Sequence, residues 1–281
     1  METMENYLVY TPVQWVIIAA VLTFGFAAMA AGFVYFLMTR DRVAPQYRMS
    51  STLSAVVMVS AFLELGVLAL NWRSAFEFNG LVWESGTSTF TNAFRYMNWS
   101  IDVPVLLTQI LVVLGFTGKR FTNPWIKFVV AGLLMIWTGF IGQFFEAAGV
   151  IEGISLAPFW IWGIISTVFF IYILYLVPKE INRGSRYLPE AAAGMMKDVR
   201  NLLIISWCLY VVAYLMPVIS FTAAGVVART IIYTVADVTS KVIYGVMLGR
   251  VARIRSENEG YVEDPIVQEK MLENQHAYIE R

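Results

Sequence analysis

Residues 6–39, NYLVYTPVQWVIIAAVLTFGFAAMAAGFVYFLMT, contain no Asp, Glu, Lys or Arg. A stretch of that length, wound as a helix rising about 1.5 Å per residue, exceeds the roughly 30 Å hydrocarbon core of a bilayer. Residues 49–63, 103–118, 128–145, 153–178 and 201–228 are likewise free of formal charge. Over 281 residues, hydrophobic types make up 58% and charged types 14%, against about 25% charged in a soluble domain. The pattern predicts an all-α membrane protein that crosses the lipid bilayer several times. It excludes a soluble enzyme, a nucleic-acid binder and a disulfide-stapled secreted domain. Cys208 is the one cysteine, so no intrachain disulfide can form.

Seven spans are predicted at 12–38, 49–70, 91–116, 126–147, 156–177, 200–220 and 227–252. Between them lie segments rich in Gly, Pro, Asn and charge: RDRVAPQYR, NWRSAFEFNGLVWESGTS, TGKRFTNP, EAAGVIEGISLAP, PKEINRGSRYLPE and SFTAAG. Sixteen of the twenty basic residues fall on one side of this arrangement. By the positive-inside rule that side is cytoplasmic, which puts the N-terminus outside and requires an odd number of spans. The start METMENYLVYTPVQW has no basic n-region, so the first span is expected to act as its own insertion signal. Residues 1–255 then form one transmembrane domain, and 256–281 a polar cytoplasmic tail that carries the single histidine, His276.

Ionisable residues inside a membrane are costly, about 2.5–3.5 kcal/mol each on insertion scales. Five stand out: Glu64 in the second span, Arg95 and Asp102 in the third, Asp237 and Lys241 in the seventh. At about 100° per residue, Arg95, Asn98, Asp102 and Gln109 fall within an arc of about 60° and make a polar ladder along the third span. Tyr233, Asp237 and Lys241 repeat at i, i+4 and share one face of the seventh. Such groups serve either as structural ion pairs or as an ion or proton path around a central lysine. A buried lysine loses its proton readily and is then a nucleophile suited to a Schiff base.

The stretch RYMNWSIDVP (95–104) resembles the third helix of the microbial rhodopsins, and DVTSK (237–241) resembles their retinal-binding seventh helix. Trp207, Tyr210 and Tyr214 are similar to the sixth-helix side of the retinal pocket, and the resemblance runs through all seven spans in order. It implies a seven-transmembrane-helix bundle of the microbial rhodopsin type with all-trans-retinal bound to Lys241. Trp99, Ser240, Gly139 (in WTGF) and Gly163 (in WGIIS) join that pocket, the glycines making room for the retinal ring. Val211 stands where a proline is common in the family.

The triple Asn98, Asp102, Gln109 resembles the light-driven sodium-pumping rhodopsins. That resemblance implies an outward sodium pump that moves protons when sodium is absent, seated in a bacterial cell membrane as a homo-oligomer, a pentamer in the family. Asp102 is then counterion and proton acceptor, with sodium held transiently near Asn98, Asp102 and Asp237, and Ser60 as an extra ligand. Gln109 offers oxygen without a titratable proton on the uptake side. Arg95 is expected to pair with Asp237 or a tyrosine and to plug the exit, and Glu146 and Arg229 to form a release region. Glu64 departs from the family pattern, in which an apolar residue is expected; it either joins the network of Asp102 and Asp237 or faces a neighbouring protomer. A light-driven proton pump is the alternative. A sensory photoreceptor fits less well, because the tail is short and has no coiled-coil repeat.

Overall fold

The computed structural model describes residues 3–151 and 153–263; His276 and the tail beyond Glu263 lie outside the described residues. Among the described residues seven helices are long and apolar enough to cross a membrane: α1 (Pro12–Met38), α2 (Arg48–Ala75), α3 (Ala93–Val113), α4 (Gly118–Gln143), α5 (Ala157–Ser185), α6 (Glu190–Ile219) and α7 (Ala223–Asn258). Each packs on its neighbours in sequence, and α7 closes the ring against α1. The most enclosed of the seven is α3, which carries the polar ladder; α5 turns most of its surface outward.

Local chemistry explains the helix starts. Thr11 caps α1: its hydroxyl accepts from the Gln14 amide, the Gln14 side chain reaches back to the Thr11 amide, and Pro12 fills the first turn. Thr222 caps α7 by accepting from the Gly225 amide. Within α7 the segment Val238–Ile243 is a π-helical turn that contains Lys241. Such turns are rare and concentrate at functional sites.

Several boundaries differ from the sequence expectation. The fourth helix begins at Gly118, so TGKRFTNP is mostly helical; Arg120, whose carbonyl Pro124 leaves without an amide partner four residues on, is exposed and can be solvated. Most of PKEINRGSRYLPE is also helical, with only Arg186–Pro189 turning between α5 and α6. Gly184 lies within α5 without ending it; a Cβ there would lie 2.7 Å from Leu114, so its role is close approach to the end of α3. The tail segment begins as helix, since α7 runs to Asn258. Beyond it Glu259 accepts from Tyr47 and Gln46, and the Ser256 hydroxyl accepts from the Ala44 amide, pinning the first loop to the end of α7.

The connection between α2 and α3 is a β-hairpin, β1 (Phe76–Phe78) with β2 (Trp83–Ser85). Its turn carries Asn79-Gly80, a strong hairpin signal, with Gly80 at φ +99° and the Asn79 side chain accepting from the Leu81 and Val82 amides. Trp83 stacks on Trp15 at 4.0 Å. A 3₁₀ turn at Met4–Tyr7 folds over the same end of the bundle, burying Met4, Glu5 and Asn6. Asn6 accepts from the Phe90 amide and donates to the Phe90 carbonyl, both at 2.8 Å. Asn6→Ala strands the buried Phe90 amide, leaving the Phe90 carbonyl only the Thr3 hydroxyl at 3.3 Å, and is expected to cost about 1–3 kcal/mol, read as earlier thermal loss of helical circular dichroism.

Candidate functional site

The third and seventh helices meet at Lys241. Its Nζ lies 2.9 Å from Asp102 Oδ2 and 2.9 Å from Asp237 Oδ1, and donates to Asn98 Oδ1 at 3.1 Å. The Asn98 amide donates in turn to Ser60 Oγ at 2.6 Å, so the second helix is tied in. Tyr210 donates to Asp237 Oδ1 at 2.7 Å and shares a 3.0 Å contact with Ser240. Arg95 Nη1 stands 3.3 Å from Asp237 Oδ2 and 3.4 Å from Glu64 Oε1, with its guanidinium 4.7 Å over the Tyr233 ring.

These five ionisable residues are all buried. With every one ionised, the two cations and three carboxylates leave the cluster with one net negative charge. Burying so many charges is tolerable only where each is paired. Glu64 points into the bundle, 5% exposed, and not toward a neighbouring protomer. Its Oε2 has no hydrogen-bond partner among the described residues.

Three predicted residues sit apart from this centre, Gln109 on one side and Arg229 and Glu146 on the other. Gln109, two turns along α3, donates to the Ser50 carbonyl at 3.1 Å and to Ser54 Oγ at 2.7 Å. At the end of the bundle that carries the N-terminus, Arg229 forms a two-point pair with Glu146 at 3.0 and 2.7 Å and reaches Glu5 Oε1 at 3.2 Å. Burial raises the Glu146 carboxyl from its ordinary value, and Arg229 opposes that rise. A continuous polar chain joins this cluster to the centre: Arg95 Nε donates to Asn92 Oδ1, and the Asn92 amide donates to Glu5 Oε1.

Glu5, Asn92, Ser50 and Ser54 were not among the predicted site residues. Asn92 lies three residues before Arg95 on the same face, and Ser50 and Ser54 repeat at i, i+4 on α2, so periodicity could have found them. Glu5 lies outside every span and carries no such signal; only the fold brings it to Arg229.

Beside Lys241 is an apolar cavity lined by Trp99, Val103, Leu106, Met135, Gly139, Gly163, Phe170, Trp207, Tyr210, Val211 and Tyr214. A Cβ on Gly163 would come within 3.1 Å of the Tyr214 ring, and one on Gly139 within 3.2 Å of Ser166 Oγ. The two glycines therefore let α4 and α5 wall the far end without filling it. Aromatic sides, a lysine at one end and a far end left unfilled by two glycines fit a long apolar aldehyde condensed with that lysine.

Fold and site together define a seven-helix membrane protein with a buried lysine at a ligand cavity. The family model described as bacteriorhodopsin-like protein matches residues 17–254, and the chain belongs to that family, the microbial rhodopsins, whose members bind retinal through a Schiff base. It is 27% identical over 232 residues to the green-light absorbing proteorhodopsin of Gamma-proteobacterium EBAC31A08, covering 83% of this chain and 85% of that one. To bacteriorhodopsin-I of Haloarcula marismortui it is 27% identical over 236 residues, covering 82% and 88%. Among solved structures it is similar to xanthorhodopsin, described as a light-driven ion pump with dual chromophore (TM-score 0.81, 30% identity), and to a thermophilic rhodopsin (TM-score 0.83, 31% identity). Each alignment covers 90% of this chain and 99% of the other.

Two variants test the site. Lys241→Ala is expected to abolish the visible absorption band formed on adding retinal, with the helical circular dichroism retained. Glu64→Gln is expected to shift the pH midpoint of the visible absorption change by about one unit or more, an energy of ~1.4 kcal/mol. An unchanged titration removes Glu64 from the network.

Proposed function

We propose that this chain is a light-driven pump that exports sodium, using retinal on Lys241, and that it moves protons when sodium is absent. The observation that carries this reading is the environment of the Lys241 nitrogen. A carboxylate at Asp102, an amide at Asn98 and a second carboxylate at Asp237 all lie within 3.1 Å of it. Bound retinal supplies light absorption and an isomerisation that weakens the hold of that nitrogen on its proton. The remaining steps belong to the protein's own side chains.

While the Lys241 nitrogen is charged it repels a passing cation, by about 4 kcal/mol at 4 Å and an effective dielectric of 20. Asp102 Oδ2, at 2.9 Å, is within proton-transfer distance. Moving the proton to Asp102 removes the positive charge from the path. Asn98 Oδ1 and the Asp237 carboxylate, no longer facing a charged nitrogen, become oxygen ligands for a hard cation. Return of the proton from Asp102 restores the barrier behind the ion. Gln109 supplies an uncharged oxygen on the uptake side, where a proton donor is not needed. Arg95, held between Asp237 and Glu64, blocks backflow by charge, and the chain through Asn92 to Glu5, Glu146 and Arg229 forms the release side.

The distribution of basic residues supports a bacterial cell membrane orientation with the N-terminus outside and the C-terminus cytoplasmic. In the same reading residues 1–255 are the transmembrane domain and 256–281 the cytoplasmic tail, and the chain works as a homo-oligomer, the pentamer implied by the resemblance.

The deciding experiment is the light-induced pH change of a suspension of retinal-supplied cells. Outward sodium pumping makes the interior negative and draws protons in, so the medium turns alkaline in NaCl, more so with a protonophore, and that signal is missing in KCl. Acidification in both salts, abolished by protonophore, identifies a proton pump that uses the same Asp102. Bound retinal with no pH change identifies a photoreceptor.

A further inference from the structure

The polar ladder on α3 is interrupted once. Asp102 and Gln109 are seven residues apart, about 10 Å of helix. The residue between them on that face is Leu106, about 40° round the helix from Asp102. Leu106 is buried and lines the cavity beside Lys241. Beyond it lies the polar cluster of Gln109, Ser50 and Ser54, where Gln109 Oε1 and Ser50 Oγ are buried without a hydrogen-bond partner among the described residues. Leu106 is thus an apolar step between two polar side-chain clusters.

Tyr244 reaches that step from the opposite helix. It is 0% exposed, stands three residues past Lys241, and is the first residue after the π-helical turn. Its hydroxyl donates a 2.7 Å hydrogen bond to the Leu106 carbonyl, its one side-chain hydrogen bond among the described residues. A helical carbonyl ordinarily accepts from the amide four residues on, so this bond uses the second lone pair and ties α7 to α3. The next residue, Gly245, has its Cβ position 3.0 Å from Ser54 Oγ, the hydroxyl that holds Gln109. Three helices therefore meet at the level of the apolar step.

We propose that the Tyr244 hydroxyl is a latch on the sodium path. Closed, it seals the step and occupies the Leu106 carbonyl. Released, it frees that carbonyl as an oxygen ligand midway between the Gln109 cluster and the Lys241 centre. A sodium ion crossing an apolar step with no oxygen to replace its water meets a prohibitive desolvation cost; one backbone oxygen halfway divides the crossing into two short moves. The latch rests on the sodium-pump reading above.

Tyr244→Phe removes the donor and keeps the ring. Retinal-loaded protein in liposomes is expected to keep its visible band. The sodium concentration that half-saturates recovery of the initial absorption after a flash should fall about fivefold. That is the ~1 kcal/mol of one net hydrogen bond no longer broken before the ion binds. In the dark, leak of radioactive sodium into the liposomes should rise severalfold over wild type. Tyr244→Leu, measured the same way, serves where the phenylalanine variant does not assemble. A sodium-pumping wild type whose variants show unchanged half-saturation and unchanged dark leak overturns the latch. A wild type that acidifies the medium in both salts overturns the parent reading, and the sodium latch with it, before any variant is measured.

Discussion

A lysine ammonium at the centre of a seven-helix bundle cannot be left to the low dielectric around it, and its neutralisation organises the rest of the site. Lys241 takes Asp102 from α3 and Asp237 from its own helix, each at 2.9 Å. Asp237 is then shared, its second oxygen going to Arg95 and its first also accepting from Tyr210. Arg95 needs a further anion, and Glu64 supplies it from α2. Each charge is tolerable because the next is in place, so removing one partner leaves an uncompensated charge, which is more costly than never having built the pair. The cluster also binds three helices by their polar faces at the depth where apolar packing alone would leave their rotations free.

The two sides of this centre are built differently. Toward the end that carries the N-terminus, polar contacts run unbroken from Lys241 through Asp237, Arg95 and Asn92 to Glu5, Arg229 and Glu146. Toward the other end the ladder stops at Leu106 and resumes at Gln109, with Tyr244 bonded across the gap. A directional pump needs such an asymmetry, because two equally open half-paths would let the ion return. The N-terminal 3₁₀ turn takes part in it: Glu5 is a ligand of Arg229, and the Met4 amide donates to Glu146 at 2.9 Å.

The π-helical turn at Val238–Ile243 links these features. It adds a residue to one turn of α7 and so changes the rotation between the half that carries Asp237 and the half that carries Tyr244. Lys241 still pairs with Asp237 across it. Beyond it Tyr244 points at α3, where it meets the Leu106 carbonyl. A regular helix of the same sequence would present the two halves at a different mutual angle.

Much of this protein is determined by its sequence alone. Charge-free runs long enough to cross a bilayer set the number of spans, since no water satisfies a backbone within lipid and a single long apolar segment can satisfy its own only as a helix. Helical periodicity placed Arg95, Asn98, Asp102 and Gln109 on one face, and the lysine at 241 marked the cofactor end, because a charge at that depth has few other uses. Tertiary structure decided what periodicity cannot express. Whether Glu64 met Arg95 or a neighbouring chain depended on the rotation of α2 against α3, which the sequence of α2 leaves open. Glu5 became a partner of Arg229 only because a short turn outside every span folds back over the bundle. The Tyr244 contact needed an added residue in a helical turn that no proline or glycine announces. In each case the deciding quantity is a distance between segments far apart in the chain, and such distances are set by packing rather than by local pattern.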